Sequence, residues 1–309
     1  MMEKKIAILG ECMIELWNDN DCYRQGFAGD TLNTAIYLSR LLGTSAKVSY
    51  LSGIGQDDLS RAMINYWQQE GIDTAAVAVV ANKQPGLYMI KTDPQGERRF
   101  LYWRNDAAAR YWLADLSINE IANLLSGYSY LYLSGISLAI LPNCDREKLL
   151  DAIAQTDITV IFDNNYRPAL WENVEITRHI YERMLALSDI AFLTFEDDQA
   201  LFGFTDYEQS IQQALELGVK EVVVKRGKEP CVIATKSERY QVEATRVEKV
   251  VDTTAAGDSF SAGYLAKRLQ GGTIVESAQA GHLLAGTVIQ HKGAIIPKNC
   301  NAINLIMVL

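Results

Sequence analysis

Val251-Asp252-Thr253-Thr254-Ala255-Ala256-Gly257-Asp258-Ser259-Phe260-Ser261-Ala262-Gly263-Tyr264-Leu265 is the stretch on which the reading of this chain turns. Two threonines and a run of small residues lead into an apolar-periodic segment, Phe260, Tyr264, Leu265 and Leu269. That pattern predicts a helix stopped at Gly271-Gly272. The Ala255-Ala256-Gly257 turn leaves little side-chain bulk over the first backbone N–H groups of the helix. Those donors have no partner within the helix, and the macrodipole adds partial positive charge at the same end. An anion such as a phosphate fits there. Asp258 sits in the same turn, where a resting phosphate would repel it, so its carboxylate makes sense as a base beside a phosphate in transfer. An isolated Gly-Asp reads equally as a helix cap. The rest of the chain has to decide.

Outward from that stretch, apolar runs at residues 5–11, 48–53, 130–135, 158–163, 189–193 and 221–228 read as buried strands. Helical patterns alternate with them at 32–42, 59–70, 113–125, 146–154 and 275–290. Alternation of this kind predicts a parallel sheet with helices on both faces, a three-layer α/β sandwich, here as one domain over residues 1–309. Residues 231–235 and 239–242 read as a hairpin at the sheet edge. Thr31 or Asp30 is expected to cap the helix that follows Gly26-Phe27-Ala28-Gly29, and Asp57 or Asp58 the next one. Between 74 and 102 the texture changes. Short runs at 76–80, 86–91 and 98–103, with a turn at Asp93-Pro94-Gln95-Gly96, predict a small antiparallel sheet, to which residues 12–27 add two strands. The strand at 158–163 ends in Asn164-Asn165-Tyr166-Arg167-Pro168. In an open parallel sheet ligands bind at strand C-terminal ends, which puts Asn165 and Arg167 in the right place, and Pro168 keeps a helix from absorbing the arginine.

Composition sets bounds. A net charge of -9 argues against a nucleic-acid footprint, which needs a basic face. No apolar run reaches membrane-spanning length, and the first residues carry too short an apolar stretch for a secretory signal. The five cysteines, Cys12, Cys22, Cys144, Cys231 and Cys300, are scattered without a Cys-x-x-Cys, which suggests reduced thiols in a cytoplasmic protein. His179, His282 and His291 have no metalloprotease spacing and read as surface or helix histidines.

The run Asp252-Thr253-Thr254-Ala255-Ala256-Gly257-Asp258-Ser259-Phe260-Ser261-Ala262-Gly263 resembles the C-terminal signature of the ribokinase-like carbohydrate kinases. The resemblance covers essentially the whole chain. Ala28-Gly29-Asp30-Thr31-Leu32-Asn33 is closer to the 2-keto-3-deoxygluconate kinase branch than to the ribokinases or adenosine kinases. The resemblance implies that Asp258 is the catalytic base and that the amides of Ala255, Ala256 and Gly257 line an anion hole. It implies that Gly29, Asp30 and Asn33 contact the sugar. The small sheet, from about 12–28 and 74–104, would be a lid carrying Tyr88, Tyr102 and Arg104 on its inner face. Glu15 would meet sugar hydroxyls, or else faces solvent from its strand. Asn165 and Arg167 would reach substrate and nucleotide phosphates, and Lys225, Arg226, Gly227 and Lys228 would line the ATP site. Tyr88 and Tyr102 read equally as ordinary strand aromatics, and Arg167 as a surface loop arginine.

Two departures stand out. Ala255 replaces a usual Gly, which is tolerable unless that position needs φ > 0. Thr194 and Asp197 replace the usual Asn and Glu, so Mg2+ would arrive with the nucleotide and its protein ligands are left open. The implied reaction moves the γ-phosphoryl group of MgATP to the terminal hydroxyl of 2-keto-3-deoxygluconate, with Arg167 and Arg104 meeting the carboxylate. The alternatives are a kinase for a neutral ketose such as fructose, and a non-catalytic sugar- or nucleotide-binding regulator. Sugar acid and ATP are the expected partners, with no nucleic acid or membrane, and the lid is a candidate surface for homo-oligomers.

Overall fold

The computed structural model describes residues 4–19, 22–92, 98–298 and 300. Its strands are β1 (Lys4–Leu9), β2 (Met13–Asp19), β3 (Cys22–Ala28), β4 (Ala46–Leu51), β5 (Gly53–Ile54), β6 (Ala78–Val79) and β7 (Leu87–Thr92). They continue with β8 (Arg98–Trp103), β9 (Tyr130–Ser134), β10 (Thr159–Asp163), β11 (Ile190–Thr194), β12 (Glu221–Lys225), β13 (Cys231–Ala234) and β14 (Arg239–Val242). The main sheet has the order β14-β13-β12-β11-β10-β9-β1-β4. Its strands from β4 to β12 run parallel, and β13 and β14 turn back antiparallel at the edge.

Both faces of this sheet are covered, which is why its strands read as apolar runs and not as alternating ones. Val223 of β12 faces one core, together with Ile8, Ile161, Leu32, Ile36, Phe260 and Leu284. Val222 and Val224 face the other, with Leu133, Phe162, Leu149, Ile180 and Met184. The first layer is built by the helices Asp30–Leu42, Ala256–Leu269 and Ile274–Val288, and the second by Asn143–Ile153, Val174–Ala186 and Tyr207–Leu217. The order reverses at β1, which has β4 on one side and β9 on the other. A crevice beyond the strand ends is expected at such a point.

The second sheet has the order β3-β2-β7-β8. Its two hairpins are antiparallel, but β2 pairs with β7 in parallel, so the sheet is mixed and not purely antiparallel as the sequence suggests. Residues 76–80 do not join it; β6 pairs with β5 in a separate two-stranded ribbon. The turn expected at 93–96 lies outside the described residues. The helix expected from 113 starts at Ile118, because Ser117 and Glu120 form a reciprocal capping box while Trp112 and Leu113 turn inward. Asp57 caps the helix Asp58–Gln69, accepting from the Ser60 amide at 2.9 Å.

The cap expected from Thr31 or Asp30 is absent. Gly29 occupies the N-cap with no side-chain bond, Thr31 shares a 2.8 Å hydrogen bond with the Tyr50 hydroxyl, and Asp30 accepts from Ser134 and Asn165. The helix start gives up a cap and presents a carboxylate to the crevice.

Candidate active site

Five parallel strands deliver polar groups at or just past their C-terminal ends: Glu11 after β1, Ser134 of β9, Asp163 of β10, Thr194 of β11 and Lys225 of β12. Above them lies a cleft of about 1420 Å3. Gly29, Asp30, Asn33, Tyr88, Tyr102, Arg104, Asn165, Arg167, Lys225, Arg226, Gly227, Lys228 and residues 255–258 all line it. Sequence reasoning named each of these, and the fold brings them to one place.

At the centre is Asp258, in the first turn of the helix Ala256–Leu269. Its Oδ2 accepts a hydrogen bond from Asn33 Nδ2 at 2.8 Å, across 225 positions of sequence. Close packing of protein around the carboxyl pushes its pKa up to about 7, the nearby Asp30 charge adds to the rise, and the Asn33 bond opposes it. The amides of Ala255, Gly257 and Asp258 have no hydrogen-bond partner among the described residues, whereas that of Ala256 donates to the Thr253 carbonyl at 3.2 Å. The anion hole read from sequence therefore loses Ala256 as a free donor in this conformation and keeps its neighbours.

Ala255 is left-handed, at φ 60 and ψ 18. The condition under which alanine is poorly tolerated is thus met. Alanine in this region is disfavoured by roughly 1–2 kcal/mol relative to its ordinary conformations. Ala255→Gly is expected to raise stability by about 0.5–1 kcal/mol, the extra freedom of glycine in the unfolded chain offsetting part of the relief. The midpoint of urea unfolding reads this directly, and a fall in midpoint would contradict it.

Lys225 Nζ pairs with Asp163 Oδ2 at 2.7 Å, both side chains nearly enclosed. The same oxygen accepts from Ser261 at 3.0 Å and Tyr132 at 3.2 Å. The lysine reaches the anion-hole turn, since a Cβ added at Gly257 would lie 3.4 Å from its Nζ. Beyond it, Arg226 stacks on Tyr207 with 4.4 Å from Cζ to the ring centre. Asn165, at φ 26, donates to Asp30 Oδ2 at 2.7 Å. Its neighbour Asn164 ties the β10 and β11 ends together through the Thr194 backbone and Asp198. Arg167 NH1 lies 3.4 Å from Asp197 Oδ1, and about half of the arginine side chain is open to the cleft mouth. Burial holds the Asp197 carboxyl above its usual range.

On the second sheet, Tyr88 and Tyr102 oppose each other across β7 and β8, with ring centres 5.8 Å apart. The Tyr88 hydroxyl donates to Glu15 at 2.6 Å. Glu15 thus holds Tyr88 and is not among the residues lining the cleft. Arg104 follows β8 and forms a buried ion pair with Glu11.

A model of the pfkB family carbohydrate kinases matches residues 3–300. The chain belongs to the pfkB family of carbohydrate kinases. It is 50% identical over 304 residues to the 2-dehydro-3-deoxygluconokinase of Escherichia coli K12, covering 96% of this chain and 98% of that one. It is 43% identical over 302 residues to the protein of the same name from Haemophilus influenzae, covering 96% of each. Among solved structures, ribokinase II of Escherichia coli in complex with ATP and Mg2+ superposes with a TM-score of 0.80 at 23% identity, over 95% of this chain and 94% of that one. That last likeness speaks for the fold.

The sequence reading of this kinase passed over two cleft carboxylates. Glu11 and Asp163 both line the cleft and each holds a cation. The signal was available: each closes an apolar strand run, where a parallel sheet presents its ligand groups. His282, read as a surface or helix histidine, is on the helix Ile274–Val288 and faces inward. It is buried, donates from Nε2 to the Val242 carbonyl at 3.1 Å, and packs edge-on against Phe260, and burial lowers its pKa.

Proposed function

We propose that this kinase transfers the γ-phosphoryl group of ATP to the terminal hydroxyl of 2-keto-3-deoxygluconate, giving the 6-phosphate and ADP. The observation that carries the transfer is the meeting of the Asp258 carboxylate, unpartnered helix-start amides and the Lys225 ammonium at one point. The hydroxyl proton goes to Asp258 as the new O–P bond forms and the bond to ADP breaks. Amides of Ala255 and Gly257, with Lys225, meet the charge on the transferring group. Asn33 holds one oxygen of Asp258 and so leaves the other for the sugar.

Substrate identity is supported by the full-length likeness to the enzymes named above. The chemistry agrees, because a sugar acid needs cations and both Arg104 and Arg167 line the cleft. Mg2+, bound with ATP, would supply charge neutralisation on the phosphates. Asp197 lines the cleft and would be a candidate to meet it. The ion would arrive with the nucleotide. Gly29, Asp30 and Asn165 would take the sugar hydroxyls; Arg226, Gly227 and Lys228 would flank the nucleotide.

Exposed Tyr23, Phe100 and Trp103 on the lid sheet support self-association through it. Five free cysteines fit a reducing cytoplasm. No helix among the described residues is long and apolar enough to cross a membrane. A substrate panel scored for ADP release tests the reading: 2-keto-3-deoxygluconate should exceed fructose in kcat/KM by about 100-fold or more, the scale of an unmet charged contact. Faster turnover of fructose would reject the sugar acid.

A further inference from the structure

We propose that Glu11 positions Arg104 for an acidic substrate, and that this ion pair at the root of the lid sets the preference for sugar acids over neutral ketoses. The inference rests on the sugar-acid reading above. All four lid strands enter or leave the body around the pair. Glu11 precedes β2, Gly29 follows β3, Gly86 precedes β7 and Arg104 follows β8. The backbone is packed directly onto it. A Cβ at Gly29 would lie 2.2 Å from the Glu11 carbonyl oxygen, and one at Gly86 would lie 2.6 Å from Glu11 Oε1 and 3.1 Å from Arg104 Cβ. Both side chains line the cleft, yet Glu11 is 2% and Arg104 8% exposed.

A buried ion pair is a poor stabiliser, since apolar residues of similar size do as well. Retaining one here makes sense if a cation has to be held at this point. Glu11 engages the guanidinium through NH2, while Arg104 Nε and Glu11 Oε1 have no hydrogen-bond partner among the described residues. The arginine is thus anchored on one nitrogen with bonding capacity left over. An anchored planar fork loses less freedom when it takes a carboxylate than a loose one does. The other charges near Glu11 are Arg110 and Asp30. Neither is hydrogen-bonded to it, so the anchoring falls to Glu11 alone among the described residues.

Glu11→Gln keeps the shape and an acceptor oxygen but removes the charge. Its KM for 2-keto-3-deoxygluconate should rise about tenfold, the scale separating charge-assisted from neutral hydrogen bonds, with kcat and the KM values for fructose and ATP changed by no more than about twofold. The ratio of kcat/KM for acid over neutral sugar then falls about tenfold. Equal losses on both sugars, or an unchanged ratio, would overturn the proposal. Should the wild-type enzyme prefer fructose, the sugar-acid reading fails by itself, while the shift in ratio still decides the role of Glu11. Arg104→Lys guards against a Gln variant that does not fold: it keeps the charge, loses the fork, and should move the ratio the same way.

Discussion

Asp258→Asn is expected to lower turnover by roughly 10²–10⁴-fold, the range over which a positioned general base contributes. ATP binding should persist, because the helix-start amides and Lys225 are untouched. Equilibrium binding of a fluorescent ATP analogue beside single-turnover kinetics separates the two effects. A variant with near-wild-type turnover would remove Asp258 from the role of base. The wild-type pH profile belongs to the same argument. Burial and the Asp30 charge raise the Asp258 pKa to about 7, and a base works only when ionised. The kcat/KM for the sugar should therefore fall as pH drops through that region, far above the 3.8 of an ordinary Asp, and this limb should vanish in the Asn variant.

The sign for stability is the opposite. With a folded pKa above the unfolded one, the native state binds the extra proton, so its contribution is complete below the unfolded pKa and is lost as pH rises through about 7. At pH 8 the Asn variant should melt no lower than the wild type. Here activity and stability are drawn apart by one side chain.

Lys225→Met carries the second large effect. It strands Asp163, nearly enclosed, with two hydroxyl donors and no cation. Breaking one side of a buried pair in this way is destabilising by about 3–5 kcal/mol. Turnover should fall as well, by roughly 10²–10³-fold, the scale of a missing group on the transferring charge. Combining it with Asp163→Asn removes the orphaned charge and should return most of the stability but none of the turnover. Urea unfolding and kcat, measured on both single variants and the double, decide it. Recovery of turnover in the double variant would make Lys225 a purely structural partner.

Most of the architecture is legible in the chain because its central strands are buried on both sides. Runs such as Val222-Val223-Val224 carry the β-branched, continuous apolar character that only such a strand needs. The small sheet is harder to read. Residues 78–79 have the same short texture as β7, and nothing local says that one pairs with β5 and the other with β2. The residues of the site could be named from motifs, but their partners could not. Asn33 with Asp258, Glu11 with Arg104 and Asp163 with Lys225 are joined only by tertiary packing. Conformation is only half legible: the glycine usual at this position raises the question of a positive φ, but Ala255 itself does not favour the left-handed backbone it adopts.

Asn33 and Asp258 stand 225 positions apart. During synthesis at roughly 5–20 residues per second, the ribosome makes the first of them about ten to forty-five seconds before the second. A nascent chain can build the helix that carries Asn33 and several strands of the sheet in that interval, yet it holds neither Asp258 nor the turn before it. The helix Ala256–Leu269 packs against both Asp30–Leu42 and Ile274–Val288, so the chain from residue 256 onward closes this helical layer as well as the cleft. A chain cut short before Ala256 would lack the proposed base and, with it, the means to spend ATP.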